Sequence, residues 1–335
     1  MSPGGRFREH RDNLDGLGRM IAVRAAIIAA TTGLVSFVMF GLAARSPFDP
    51  LASYLGTAYA ELTAAERADV AAAIGADQSW WRQWLDWFVG VFTGDLGFSR
   101  SYGRPVAEVL SERLPWTIVL SATGMTLAVI VAVLLGTWAG RRPGGAVDKA
   151  VVALGVFIGA TPSFIYALGV VMIFAVALNV IPAGGASPIG ESPSLFTIGP
   201  YLIAPALVLA VTQLPWPLLA VRQATVEAID SDAVENARVR GVPHGVILRR
   251  HVAPMSLMPL VTLVGGRLSE LVVGAVIVEA VFSWPGLAEA TVQSAKTVDF
   301  PLLAATTVLT TVLVMGGSLV ADVTYKLLDP RVTDV

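Results

Sequence analysis

The chain contains no cysteine. That excludes disulfides, thiolate metal centres and cysteine nucleophiles. Histidine is scarce: His10, His244 and His251 are its three copies. None falls in an apolar run, so no histidine is available to serve a nucleophile or a metal at membrane depth. No GxxxxGK[ST], GxSxG or HExxH occurs. The chain therefore lacks the signatures of a phosphate-binding loop, a nucleophile elbow and a zinc helix. Charge is sparse too, at 14% of residues, where soluble domains carry about 25%. A net charge of −2 provides no bulk field for nucleic acid. No alternating stretch runs long enough to suggest a membrane barrel.

What the chain does have is apolar surface. Its 335 residues are 55% hydrophobic, with a mean hydropathy of +0.69. A membrane-spanning helix needs about 20 mostly apolar residues. Six segments qualify, near 20–44, 115–140, 150–180, 199–221, 256–282 and 302–328. The first is too long for the core of a removable signal peptide, and no A-x-A site precedes Pro47. Pro215 and Pro217 lie in the fourth run; kinks of that kind are tolerated where neighbouring helices satisfy the freed backbone. The pattern predicts an all-α integral membrane protein, with a transmembrane region over 20–328 and short tails at 1–19 and 329–335.

Basic residues in the short connections set the expected orientation. Arg6, Arg8, Arg11 and Arg19 precede the first run. Arg141, Arg142 and Lys149 follow the second, and Arg222, Arg238, Arg240, Arg249 and Arg250 follow the fourth. Lys326 and Arg331 close the sixth. The opposite short loops, 181–198 and 284–300, hold only Lys296. Both termini and the 222–255 loop are therefore expected in the cytoplasm. The long 45–114 segment is expected outside. Within it, "DQSWWRQWLDWFVGVF" places Trp80, Trp81, Trp84 and Trp87 at helical spacing. Two readings stand: an amphipathic helix at the membrane interface or a small packed outer cap.

Charges inside apolar runs are functional candidates by default. They are Arg267, Glu270 and Glu279 in the fifth run and Asp322 in the sixth. Arg267 and Glu270 share a helix face and could pair structurally or line a pathway. Gly155, Gly159, Gly316 and Gly317 mark places for close helix packing.

The stretch "ENARVRGVPHGVILRRHVAP", 235–254, interrupts the apolar chain with four arginines and two histidines. Asp232 and Glu235 early, with Arg238 and Arg240 late, suit the dipole of a short helix. Gly241 can end it in the left-handed conformation. Pro243 can open a second piece that runs to Pro254. The spacing predicts helix, sharp turn and helix. A solvated basic loop near anionic headgroups is the plainer reading.

The spacing of Glu235, Ala237, Gly241 and Pro254 resembles the EAA loop of bacterial ABC-importer permeases. "ARVRG" with "ILRRHVAPMSLMP" is similar to the dipeptide/oligopeptide permease family, of the oligopeptide permease B type. In order along the chain, "RSPFDP", "FTGDLGFSRSYGRPVAEVLSERLPWTIVL", "ATPSFIYAL", "IPAGG", "GAVIVEAVFSWPGLAEA" and "ADVTYKLLDPRV" resemble that family too. Asn236, His251 and Ala253 depart from the general motif, although a histidine is usual at the second position in the peptide subfamily, and Ala288 replaces a frequent glycine.

The resemblance implies six transmembrane helices of the type I ABC importer permease fold, with a cytoplasmic coupling helix. It implies a non-catalytic subunit in a bacterial inner membrane. Asp232, Glu235, Ala237, Arg238, Gly241, His251 and Pro254 would form the coupling segment. The chain would carry no cofactor; ATP and Mg would bind two separate ATPase subunits. A homologous second permease and an external solute-binding protein would complete a peptide importer surrounded by lipid, with no role for nucleic acid. Related systems move nickel, glutathione or other small solutes. A stand-alone transporter or channel, and an intramembrane enzyme, are the competing classes.

Overall fold

A computed structural model describes residues 3–45, 50–73, 77–188, 190–191, 193–194, 196–257, 260 and 268–328. The chain divides into two compact units: Met1–Thr117 with Pro285–Gly316, and Ile118–Trp284 with Gly317–Val335.

The first unit begins with the long helix α1 (Pro3–Ala43). Short helices follow at α2 (Pro50–Leu55), α3 (Ala58–Glu61) and α4 (Ala64–Ala73). Thr63 and Glu66 form a capping box on α4: the Glu66 carboxylate accepts from the Thr63 N–H at 2.8 Å, and Thr63 Oγ1 accepts from the Glu66 N–H at 3.3 Å. Helix α5 (Trp80–Thr93) comes next. A two-residue hairpin pairs β1 (Phe98–Ser99) antiparallel with β2 (Arg104–Pro105). The long helix α6 (Val106–Gly140) starts here and continues into the second unit. Late in the chain, α14 (Leu287–Thr297) and the start of α15 (Phe300–Leu328) return to this unit. Its core joins Val106, Val109, Leu110, Leu287, Leu302 and Ala305.

A buried aspartate ties this unit together. Ser99 Oγ donates to Asp299 Oδ2 at 2.7 Å, and the Ser101 N–H donates to the same oxygen at 3.0 Å. Thr117 Oγ1 accepts the Leu287 N–H at 2.8 Å, and Arg113 pairs with Glu289. The segments "GFSRSYGR" and "AKTVDFP" therefore form one polar seam.

The second unit contains α7 (Ala146–Ala160), α8 (Ser163–Val170) running into a π-helical stretch Val171–Ala177, α9 (Gly199–Gln213) and α10 (Pro215–Ile229). Then come α11 (Asp232–Val239), α12 (His244–Ile247) and a π turn Leu248–Val252. Helix α13 (Leu268–Val281) packs against α8 and α9. The N–H of Gly185 donates to Phe282 O at 2.8 Å, and a Cβ on Gly184 would stand 2.7 Å from that oxygen. The "IPAGG" and "AVFSWPG" segments thus meet through backbone that only glycine lets approach so closely.

Several sequence boundaries need correction. Three helices are long and apolar enough to cross a membrane unbroken: Gly18–Ala43, Val106–Gly140 and Phe300–Val320. The expected span 150–180 is instead two pieces, α7 and α8 with its π stretch, bent by 94°. Pro162 has no N–H to donate, and Thr161 before it is extended at φ −97°, ψ 127°. The expected span 199–221 is α9 and α10, bent by 50° at Pro215. Helix α10 runs on to Ile229, so the loop expected from 222 begins inside a helix. Helix α6 begins at Val106, not near 115, and carries Pro115 within it. Of the run 256–282, α13 covers only the latter part, and 261–267 lie outside the described residues.

The small-residue expectation divides. A Cβ on Gly155 would meet Leu219 at 3.2 Å and one on Gly159 would meet Pro215 at 3.6 Å. Gly316 has no atom within 4 Å of its Cβ position.

Candidate coupling segment

Helix α11 is a short, well-capped helix with one buried edge. Val234 and Ala237 point inward and join Ala228, Ile247 and Val252 in a cluster, with Ile229, Val242 and Leu248 packed around it. Ala237 is small enough to sit beside the returning chain. Asp232, Glu235 and Val239 are exposed. Arg238 Nη1 lies 3.3 Å from Glu235 Oε2, both well exposed, a pairing that contributes about 0.2–0.5 kcal/mol. The acids in the first turn and the arginine in the last complement the helix dipole.

Gly241 ends this helix at φ +72°. Its N–H donates to Arg238 O at 2.9 Å, and the Val242 N–H donates to Ala237 O at 3.1 Å. This is the Schellman pattern, with Val242 supplying the usual hydrophobic contact. Nothing lies within 4 Å of a Cβ built on Gly241. Glycine is needed there for its backbone angle and not for space.

The return piece explains Pro254. A proline lacks the N–H for an α-helical bond and its ring crowds the carbonyl one turn back. The π turn Leu248–Val252, whose closing Ala253 N–H reaches back to Leu248 O, widens the helix just before it. His251 sits half-buried in that turn and Pro254 is exposed. Ser231 Oγ donates to Ala228 O at 2.6 Å and approaches Met255 Sδ at 3.9 Å.

The base of the segment is anchored by a pair that sequence reasoning did not single out. Arg222 on α10 makes two hydrogen bonds to Asp148 in the first turn of α7: Nε to Oδ1 at 2.7 Å and Nη2 to Oδ2 at 2.6 Å. The Gly144 N–H adds a third, to Oδ2 at 2.8 Å. Asp148 is buried. Beside it, α6 presses two glycines onto α10. A Cβ on Gly136 would lie 2.9 Å from Leu218 O; one on Gly140 would lie 2.6 Å from Thr225 Cβ and 2.8 Å from Arg222 O. This small-xxx-small arrangement lets two helix backbones touch. A lone acid opening an apolar run, and an arginine closing another, were the only sequence signals available.

The four candidate intramembrane charges are distributed differently. Glu279 is fully buried on α13, and Asp322 is half-buried on α15. The backbone of Glu270 lies on α13, but its side chain and the whole of Arg267 are outside the described residues. The proposed Arg267–Glu270 pairing therefore falls there too. An apolar groove of about 220 Å³ between α8 and α9 is lined by residues including Tyr166, Phe174, Ile203 and Val211.

These features define a polytopic helical membrane subunit with a capped helix projecting from a rigid base. Residues 132–334 match the family described as "Binding-protein-dependent transport system inner membrane component", and the chain belongs to that family. It is similar to the oligopeptide transport system permease protein AppB of Bacillus subtilis, with 30% identity over 89% of this chain and 94% of that one. The dipeptide transport system permease protein DppB of Lactococcus lactis is 29% identical over 78% and 83%. The probable D,D-dipeptide transport system permease protein DdpB of Escherichia coli is 30% identical over 82% and 88%. A crystal structure of an amino acid ABC transporter with histidines is similar at a TM-score of 0.49 and 15% identity, covering 67% of this chain and 94% of that one.

Proposed function

We propose that this chain is the permease subunit of an ATP-driven peptide importer and that α11 is its contact with an ATPase subunit. Family membership and relatives named for peptide, oligopeptide and dipeptide transport support peptide over nickel, glutathione or a stand-alone transporter. The observation that carries the coupling role is the division of α11. One edge is buried in its own cluster, while Glu235 and Val239 face outward.

The chain forms half of the pathway, with a homologous permease as the other half. Two ATPase subunits bind ATP and Mg on the cytoplasmic side, where both termini also lie. An external binding protein delivers the peptide. Displacement of α11 passes to α10 across only Asp230 and Ser231. From α10 it reaches α7 through the Arg222–Asp148 pair and α6 through Gly136 and Gly140. The dense packing at these contacts makes the helices respond together.

Reconstitution of this chain with its second permease, ATPases and binding protein tests the reading. Peptide-loaded binding protein should raise ATP hydrolysis several-fold. An assembled complex that gives no stimulation with any peptide-loaded binding protein contradicts it.

A further inference from the structure

The tryptophan-rich helix α5 does not lie apart from the first span; it runs back along it. Trp80 packs against Gly41 and Phe37. One turn on, Trp84 meets Phe37 edge-on and donates its indole N–H to Ser36 Oγ at 3.0 Å. A further turn on, Phe88 lies 4.0 Å from the Cβ position of Gly33. Each turn down α5 matches a turn back along α1, so the two helices are antiparallel neighbours.

The charge pattern of α1 fixes where that contact lies. Between Arg24 and Arg45 the chain carries no charged residue. At 1.5 Å per residue this stretch is about as long as the hydrocarbon core is thick, about 30 Å. Residues 33–41 occupy the half nearer Arg45. A placement that lifted them out of the bilayer would draw Arg24 and Arg19 into it, at a cost of several kcal/mol.

Helix α5 also has an apolar face that its own unit leaves open. Trp81, Leu85, Val89 and Phe92 form one stripe, and Phe92 is 79% exposed. The stripe continues the exposed α1 row Leu34, Val38 and Leu42. Arg82, Asp86 and Thr93 fall on a different face. At the far end the chain turns back. Gly94 takes φ +84°, the Asp95 N–H donates to Gly90 O at 2.9 Å, and Trp87 Nε1 donates to Leu96 O at 3.2 Å.

We propose that α5 is a re-entrant helix. It enters the leaflet nearer Arg45 beside the first span, presents Trp81, Leu85, Val89 and Phe92 to lipid acyl chains, and turns back at Gly94. A helix lying flat in the interface would hold all four side chains at one depth. Here depth increases from Trp81 to Phe92.

The absence of native cysteine allows a direct test. Single cysteines replace Trp81, Leu85, Val89 or Phe92 in the full chain. Leu42→Cys and Leu34→Cys serve as a shallow and a deep ruler on α1. All six positions are exposed, so a spin label displaces no packed core atom. In phosphatidylcholine–phosphatidylglycerol vesicles, collision with oxygen is compared with collision with a water-soluble nickel complex. The oxygen-to-nickel ratio should match Leu42 at Trp81, rise at Leu85, match Leu34 at Val89, and be at least as high at Phe92. Equal ratios at all four would place the helix flat in the interface and overturn the proposal. Nickel-dominated collisions, or low collision with both reagents, would assign the stripe to water or to protein and also overturn it.

Discussion

Arg222 and Asp148 join the end of α10 to the first turn of α7 by two parallel hydrogen bonds of 2.7 and 2.6 Å. The carboxylate is buried, and its Oδ2 also accepts the Gly144 N–H. Removing one partner leaves the other charged and poorly solvated. Arg222→Ala should therefore cost roughly 3 kcal/mol. Arg222→Lys should fall between Ala and the native residue, because an ammonium cannot reproduce the planar two-point grip. Thermal unfolding of the detergent-solubilised chain gives the ranking: native, then Lys, then Ala.

The two glycines of α6 carry a separate expectation. Gly140→Leu places a branched side chain where even a Cβ would stand 2.6 Å from Thr225 and 2.8 Å from a backbone oxygen. Helix α6 must then move off α10. Gly140→Ala should cost about 1–3 kcal/mol through overpacking. Gly144→Ala has open space, and only its φ of +75° is unfavourable, so its cost should be about 1 kcal/mol. Comparing the melting temperatures of the two alanine variants separates crowding from backbone strain.

Much of this architecture is legible in the sequence because apolar length and punctuation are local properties. The runs near 20–44 and 302–328 contain the helices Gly18–Ala43 and Phe300–Val320. The break at Gly241 and the restart after Pro243 follow from the residues that cannot continue a helix. The 94° bend at Pro162 was not legible, because a straight run and a broken one have the same composition. The early start of α6 was hidden because Glu108, Glu112 and Arg113 are too charged to count as a span. The Asp148–Arg222 pair was hidden for a different reason. It joins residues from two runs, and neither run says which other it will touch. Helix α5 combines the two readings its tryptophans left open: Trp80, Trp84 and Trp87 pack inward, while Trp81 is exposed.

Asp299 provides an expectation away from the coupling segment. It accepts from Ser99 Oγ and the Ser101 N–H while buried. Asp299→Ala leaves both donors unsatisfied, which should destabilise this seam by about 2–4 kcal/mol. Limited proteolysis should then cut near 99–103 faster than in the native chain, with cleavage elsewhere unchanged.

The coupling role of α11 depends on exposed residues that its fold does not need. Val239 is 79% exposed, so Val239→Asp should leave the melting temperature within the range of ordinary surface changes, about 0.5 kcal/mol. Its expected effect is on the ATPase contact: transport and peptide-stimulated hydrolysis should fall together in the reconstituted complex.

Co-purification of the ATPase subunits with this chain from membranes probes the docking assignment most directly. The comparison is between the native chain, Gly241→Asp and Val239→Asp, each first shown to insert and to melt as a folded membrane protein. Both variants should lose most of the ATPase while retaining the second permease. Equal recovery of ATPase from all three would contradict the assignment of α11 as its docking helix.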